Sequence, residues 1–171
     1  GLYDLVQLKI KKDKIKGIKI FIIKYRVIYN LYIYTHMTLI KNISGFRGTI
    51  GGENSENLTP LDVVNSIAAF SLLIKENNPN LSDLSVMTAR DGRKSGESIL
   101  NIVNSVFSSM GIDVIDCGIS TTPTLCWGVL NNKSVAGLMI TASHNPEEYN
   151  GLKFFNSDGE FLAREEVNKL I

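Results

Sequence analysis

Residues 38–171 alternate between two hydrophobic patterns, one typical of buried strands and the other typical of helices. Short apolar runs predict strands at residues 39–43, 84–88, 112–117 and 135–141. Apolar residues at helical spacing predict helices from Pro60 to Asn77, from the cap Ser95 to Gly111, and from Pro123 to Leu130. Strands separated by helices of this length predict a parallel sheet that is covered on both faces.

The pattern changes near the C-terminal end of the sequence. Residues 152–155 and 160–162 flank Asn156–Gly159, a sequence typical of a hairpin turn. We therefore expect one antiparallel strand at the sheet edge, around Lys153 to Phe155. The predicted fold class is α/β, a three-layer α/β/α sandwich with a mostly parallel mixed sheet and one antiparallel edge strand. Residues 163–171 begin a helix without a C-terminal cap, which is the pattern of a truncated chain.

Charge divides the chain at about residue 37. Residues 1–37 carry eight Lys or Arg and two Asp, whereas residues 38–171 carry ten Lys or Arg and fifteen Asp or Glu. The mildly acidic second part gives no indication of a nucleic-acid surface. We expect residues 1–36 to be a non-native or disordered leader, and residues 37–171 to be the domain proper. A basic membrane-surface segment is the alternative for the leader, and its lysines interrupt it too often for a membrane span.

The two cysteines, Cys117 and Cys126, form neither a CxxC pair nor a metal-ligand cluster. We expect them to be reduced, buried thiols in a cytoplasmic protein.

Candidate chemistry begins with Ser143, in a polar turn directly after the apolar run 135–140. Open α/β folds place their chemistry at such strand ends. His144, Asn145 and Lys153 suit an anionic ligand such as phosphate. A serine hydrolase would need a base that faces the hydroxyl, and the sequence lacks a G-x-S-x-G elbow. His144 is adjacent to the serine along the chain, so a hydrolase triad is disfavoured.

Four loops resemble those of a known family. Thr141–Pro146, followed by Asn150–Lys153, closely resembles the phosphoserine loop of the α-D-phosphohexomutases. Three further segments resemble that family's other N-terminal loops and occur in family order: Ser44–Gly52, Ala89–Gly96 and Ser120–Thr124. Each motif alone is weak, but the ordered set is strong. The resemblance covers about residues 38 to 171 and corresponds to the first of four domains.

The resemblance implies that Ser143 carries a phosphoryl group and exchanges it with a sugar phosphate. Phosphate then moves between C1 and C6 of a hexose or hexosamine through a bisphosphate intermediate. Lys153 assists proton transfer or stabilises the transferring group, and Arg47 reaches the active centre and holds phosphate. Without the motif, both would be interpreted as surface cations. A Mg²⁺ ion bound to a phosphoserine oxygen of Ser143 is the implied cofactor.

Other residues have supporting roles in this interpretation. His144 and Asn145 are candidate substrate-binding residues, although a loop-stabilising role is an alternative for each. Asp91 and Arg93 form a support pair beneath the serine loop, because the strand before them should neighbour the strand that ends at Thr141.

Substrate choice is open between related enzymes. Residues 44–52 and 58–64 are most similar to bacterial phosphoglucosamine mutase-type members, with phosphomannomutase/phosphoglucomutase as the alternative. A non-catalytic α/β binding domain is the alternative from another class. The family's metal, sugar-selecting and C-terminal phosphate loops do not occur in this sequence. We therefore expect later domains of the same protein as partners, an inactive isolated chain, and neither nucleic-acid nor membrane binding.

Overall fold

The computed structural model describes residues 37–171, so the expected leader over residues 1–36 lies outside the described residues. This part of the chain contains six strands and four helices. The strands are β1 (Ile40–Asn42), β2 (Gly45–Thr49), β3 (Ser85–Arg90), β4 (Asp113–Ile119), β5 (Ala136–Ile140) and β6 (Tyr149–Phe155). The helices are α1 (Pro60–Asn77), α2 (Gly96–Ser109), α3 (Thr122–Asn132) and α4 (Arg164–Asn168).

The six strands form one mixed sheet in the order β1-β2-β6-β5-β3-β4. Strand β3 pairs in parallel with β4 and with β5, and Arg90 lies opposite Ile140 in the second of these pairings. The α/β class and the mixed sheet are confirmed. The prediction that the antiparallel strand around Lys153 to Phe155 lies at the sheet edge is wrong. Three of the five described pairings are antiparallel, and β6 lies inside the sheet between β5 and β2.

Strand β2 is the element that the hydrophobic pattern misses. It has the sequence Gly-Phe-Arg-Gly-Thr, and two glycines in five residues give little strand signal. Gly45 has a φ of +113°, and a Cβ there would lie 2.4 Å from the Leu152 carbonyl oxygen. The segment predicted as a loop can therefore lie close against β6, and its pairing with β6 makes that strand an interior one.

Helices cover both faces of the sheet, which confirms the three layers. Neighbouring residues of a buried strand point to opposite faces, so Val86 and Leu138 join a core with α1, α2 and α4, while Met87 and Met139 pack against α3. The larger core is centred on four aromatic rings: Phe46, Phe70, Phe107 and Phe154.

The predicted helix starts differ in how they are capped. Thr59 caps α1 as predicted, in a capping box with Asp62, and Thr121 caps α3. Ser95 precedes α2, but its side chain makes no capping hydrogen bond. Its hydroxyl instead accepts a hydrogen bond from Asn150 Nδ2 at 2.9 Å, because the buried asparagine faces it from β6.

Both cysteines are free thiols, as expected, but Cys117 is exposed rather than buried. Cys117 lies on β4, an edge strand, whereas half-buried Cys126 lies on α3. Partial desolvation raises the pKa of both thiols, and the Asp116 carboxylate raises the pKa of Cys117 further. Between residues 37 and 171, no helix is long and apolar enough to cross a membrane.

Phe70 provides a test of the larger core. Its ring lies 5.1 Å from the Phe154 centroid and 6.1 Å from the Phe107 centroid. We expect Phe70→Ala to lower the free energy of unfolding by about 3–5 kcal/mol in urea titrations, because it leaves a cavity. Leu72→Ala, at a position 61% exposed on the same helix, should change it by less than ~0.5 kcal/mol. Equal effects of the two substitutions would contradict this core.

Candidate functional site

Ser143 lies in a turn just beyond the carboxyl end of β5. Ser143 is exposed, and its backbone adopts a left-handed conformation with a φ of +54°. This conformation is disfavoured for residues that carry a Cβ, so surrounding contacts must maintain it.

A cleft of about 240 Å³ opens beside this turn. Four sequence-predicted site residues line it together, namely Arg47, Ser143, His144 and Lys153. Asn42 and Ser44 also line it and were not predicted. Among residues 37–171, the lining includes two cationic side chains and no carboxylate, so the cleft favours an anionic group.

Strand pairing brings the two cations near each other. Arg47 on β2 lies opposite Gly151 on β6, and Lys153 is two residues further along the same strand. Diagonal neighbours of this kind are typically about 7–8 Å apart and lie on the same face of the sheet. Neither side chain forms an ion pair with a carboxylate of residues 37–171. The Lys153 ammonium lies 5.9 Å from the centroid of the Phe161 ring.

Gly151 allows the three strands at the cleft to approach closely. A Cβ at this position would lie 2.6 Å from the Phe46 carbonyl oxygen and 2.8 Å from that of Thr141. The Thr141 N–H donates to the Gly151 carbonyl at 3.0 Å. The preceding residue, Asn150, is fully buried, and its Oδ1 accepts a hydrogen bond from the Gly151 N–H at 2.8 Å.

Arg93 does not line the cleft and instead holds the backbone of the serine loop. Its guanidinium donates to the carbonyl oxygens of four loop residues, at 3.0 Å for Ser143, 2.7 Å for Asn145 and 2.9 Å for Tyr149, and also to Pro146. Arg93 also forms an ion pair with Asp91 at 3.2 Å. The expected neighbouring of the two strands is confirmed, since β3 pairs with β5 and thereby brings this pair to the loop.

Thr141 connects the ion pair to the serine backbone and was given no role from the sequence. Its hydroxyl lies 2.6 Å from Asp91 Oδ2 and accepts the Ser143 N–H at 3.0 Å. The signal was present, because a threonine two residues before an amide donor is the spacing of a side-chain turn.

Asn145 differs from the expectation. It does not line the cleft, and the expected side-chain hydrogen bonds to the turn backbone are not found among the described residues. Its Oδ1 is buried and accepts no hydrogen bond from residues 37–171. Asn145 instead contributes its backbone, because its N–H donates to Ala142 and its carbonyl accepts from Arg93.

The implied Mg²⁺ ion has few ligands in this part of the chain. Mg²⁺ takes six oxygen ligands, which in proteins include carboxylates, phosphates and waters. No group of three or more His, Cys, Asp or Glu within residues 37–171 is placed to hold a metal ion. A phosphate on Ser143 would supply a ligand, but these residues do not form a Mg²⁺ site by themselves.

Comparison with known proteins gives the family. The family model described as phosphoglucomutase/phosphomannomutase, alpha/beta/alpha domain I, matches residues 38–171. The chain belongs to this family. The match spans all of the elements that build the cleft, from β1 to α4.

Individual relatives agree with the family match. A phosphoglucosamine mutase from Alkaliphilus metalliredigens is 40% identical over 68% of this chain and 25% of the relative. A phosphoglucomutase/phosphomannomutase from Thermococcus kodakarensis is 38% identical over 69% of this chain and 26% of the relative. A crystal structure of a Thermus thermophilus protein, described as a phosphomannomutase, has a TM-score of 0.68 at 28% identity over 77% of this chain and 29% of that protein. The chain therefore spans about a quarter of the length of these relatives.

Gly151→Ala tests the close approach of strands at the cleft. The added methyl group meets two backbone carbonyls that cannot rotate away, so we expect a loss of about 2–3 kcal/mol in the free energy of unfolding. Gly92→Ala is the matched control, since a Cβ there has no atom within 4 Å. It should change stability by less than ~0.5 kcal/mol. A Gly151→Ala protein as stable as the wild type would show that a methyl group fits between the strands and would contradict their close approach.

Arg93→Lys tests the support of the serine loop. An ammonium cannot donate to four carbonyls and a carboxylate at once, so we expect a loss of about 2–3 kcal/mol in the free energy of unfolding. Limited proteolysis should also cut faster within residues 143–149. Lys94→Ala removes only an exposed ion pair with Glu147 and should leave both measurements almost unchanged. If the Arg93→Lys protein is cut within residues 143–149 at the wild-type rate, the support role of Arg93 is contradicted.

Proposed function

We propose that this chain is the phosphoryl-carrying domain of a phosphohexomutase, with Ser143 as the residue that carries the phosphate. One observation supports this most strongly. An exposed serine in a left-handed turn lies in a cleft that has two cations from neighbouring strands, both unpaired within the described residues, and no lining carboxylate. Such a cleft suits a phosphate ester. Its described lining has no carboxylate that could orient a histidine as a base, which argues against a serine-hydrolase triad.

The proposed reaction is two phosphoryl transfers. In the first, the bond between phosphorus and Ser143 Oγ breaks while a bond forms to a hydroxyl of a sugar monophosphate. That hydroxyl loses its proton, and Oγ gains one. The resulting bisphosphate turns over and returns its other phosphoryl group to Ser143. For each transfer, the main tasks of the protein are to hold the attacking and leaving oxygens in line and to neutralise charge on the phosphoryl group.

Arg47 and Lys153 provide that neutralisation in our proposal. The Arg47 guanidinium can bind two phosphate oxygens at once through parallel hydrogen bonds. The Lys153 ammonium stabilises the transferring group or exchanges a proton with the reacting oxygen. His144, exposed in the cleft, binds the sugar, and Asp91 and Arg93 support the loop. Asn145 does not bind the substrate; its carbonyl oxygen accepts a hydrogen bond from Arg93 and thereby helps to hold the loop.

Other parts of the protein complete the site in this proposal. The matching relatives are about four times as long as the chain's matched part. We propose that carboxylates for Mg²⁺ and groups that select the sugar come from further domains, and that the protein is cytoplasmic. The 171-residue chain alone should therefore not isomerise sugar phosphates.

Glucosamine phosphate is the substrate that we favour. Phosphoglucosamine mutases are prominent among the relatives, including those from Alkaliphilus metalliredigens and Levilactobacillus brevis. Glucose and mannose phosphates are the second candidate substrates, because the Thermococcus kodakarensis relative is a phosphoglucomutase/phosphomannomutase. Ratios of kcat/KM for the three sugars in the natural protein decide between them. We expect glucosamine phosphate to be preferred by at least about tenfold.

Phosphate on Ser143 is the central expectation. Mass spectrometry of the natural protein isolated from its own cells should find a phosphate on the peptide that contains Ser143. Ser143→Ala should reduce isomerisation by at least about 10³-fold, because it removes the hydroxyl that carries the phosphate in the proposed reaction. Ser157→Ala, at an exposed position in the hairpin turn, is the control and should keep wild-type turnover. An unphosphorylated Ser143 together with an active Ser143→Ala protein would leave a non-catalytic binding domain as the better interpretation.

A further inference from the structure

We propose that Thr141 is a positioning residue that holds Ser143 in its left-handed conformation. The effect on catalysis rests on the proposed function, whereas the structural role does not. Thr141 is 7% exposed, and its hydroxyl lies between the Ser143 N–H and the Asp91 carboxylate. It supplies no reactive group of its own; it acts through the backbone of the serine.

The direction of each hydrogen bond is determined by chemistry. Asp91 forms an ion pair with Arg93, so its carboxylate is ionised and can only accept hydrogen bonds. The hydrogen on Thr141 Oγ1 must therefore point to Asp91, which leaves a lone pair of the same oxygen for the Ser143 N–H. Valine, with the same shape, could do neither, and serine could do both.

The hydrogen bonds close a ring around Ser143. Its N–H is bound to Thr141, Thr141 is bound to Asp91, and Asp91 is bound to Arg93. Arg93 then donates back to the Ser143 carbonyl at 3.0 Å. Both polar groups of the serine backbone are thus held by one ion pair, the first through Thr141 and the second directly. This accounts for a φ of +54° at a residue that is not glycine.

The ring fixes the serine before any ligand binds. All four of its members belong to residues 91–143 of the folded domain, and Thr141 contributes the link to the N–H side. A serine that is held in this way presents Oγ to the cleft without a further conformational change. In the proposed reaction, such preorganisation favours in-line transfer.

Hydrogen exchange of the Ser143 amide tests the ring in the 171-residue chain and needs no activity. In Thr141→Val the amide loses its acceptor, so we expect its exchange to accelerate by about tenfold or more. Thr141→Ser keeps the hydroxyl and should restore slow exchange. The amides of Val86 and Leu138 in the central strands should keep wild-type protection in both variants, which controls for folding.

A second measurement concerns catalysis in the natural protein. Thr141→Val should lower kcat by about tenfold or more with KM for the sugar phosphate changed less than about twofold, and Thr141→Ser should restore kcat. Unchanged exchange at Ser143 in a folded Thr141→Val chain would overturn the proposal. Accelerated exchange with unchanged kcat would confirm the structural role and overturn the effect on catalysis. Neither result bears on whether Ser143 carries phosphate, which mass spectrometry decides separately.

Discussion

The absence of a side chain at Gly151 is the constraint on which the site depends. At this point β6 passes between the carbonyl groups of Phe46 and Thr141 with no space for a methyl group. Adjacent strands of a sheet lie about 4.8 Å apart, so the serine turn, Lys153 and Arg47 follow one another across three neighbouring strands. Each side chain reaches the cleft from a separate segment of the sequence. A small shift of β6 would move the two cations relative to the serine.

The charges of the site are divided between the cleft and the loop beside it. The cations that line the cleft have no carboxylate partner within the described residues, and so they remain available to an anion. The carboxylate of Asp91 is instead bound to Arg93 and Thr141. Acidic and basic groups thereby have different tasks, because the ion pair maintains the backbone while the unpaired cations face the ligand. An acidic residue in the cleft would pair with these cations and weaken their attraction for an anion.

The sequence patterns predicted those parts of the molecule where local chemistry decides the structure. The helix start at Thr59-Pro60 needs only a cap and a fixed φ, and the apolar run before Ser143 needs only a buried strand. Strand β2 could not be predicted in this way. Its glycines give little local strand signal, and the close pairing that requires Gly45 is with β6, about a hundred residues later in the sequence. The same holds for Ser95, whose hydroxyl is used by Asn150 instead of the adjacent helix. The function of Thr141 depends on Asp91, which only the pairing of β3 with β5 brings near.

The pairing of β2 with β6 also affects the order in which the molecule is made. Phe46 and Leu152 face each other although about a hundred residues separate them along the chain. During translation, β2 leaves the ribosome long before the strand that it must pair with has been synthesised. Until then, its Arg-bearing segment has only the short β1 as a neighbour in the sheet. Contacts of such long range form late because loop closure is costly. A nascent chain that ends before residue 153 would thus lack Lys153 and the complete pairing of β2 with β6, so the cationic cleft forms only after both strands have been synthesised.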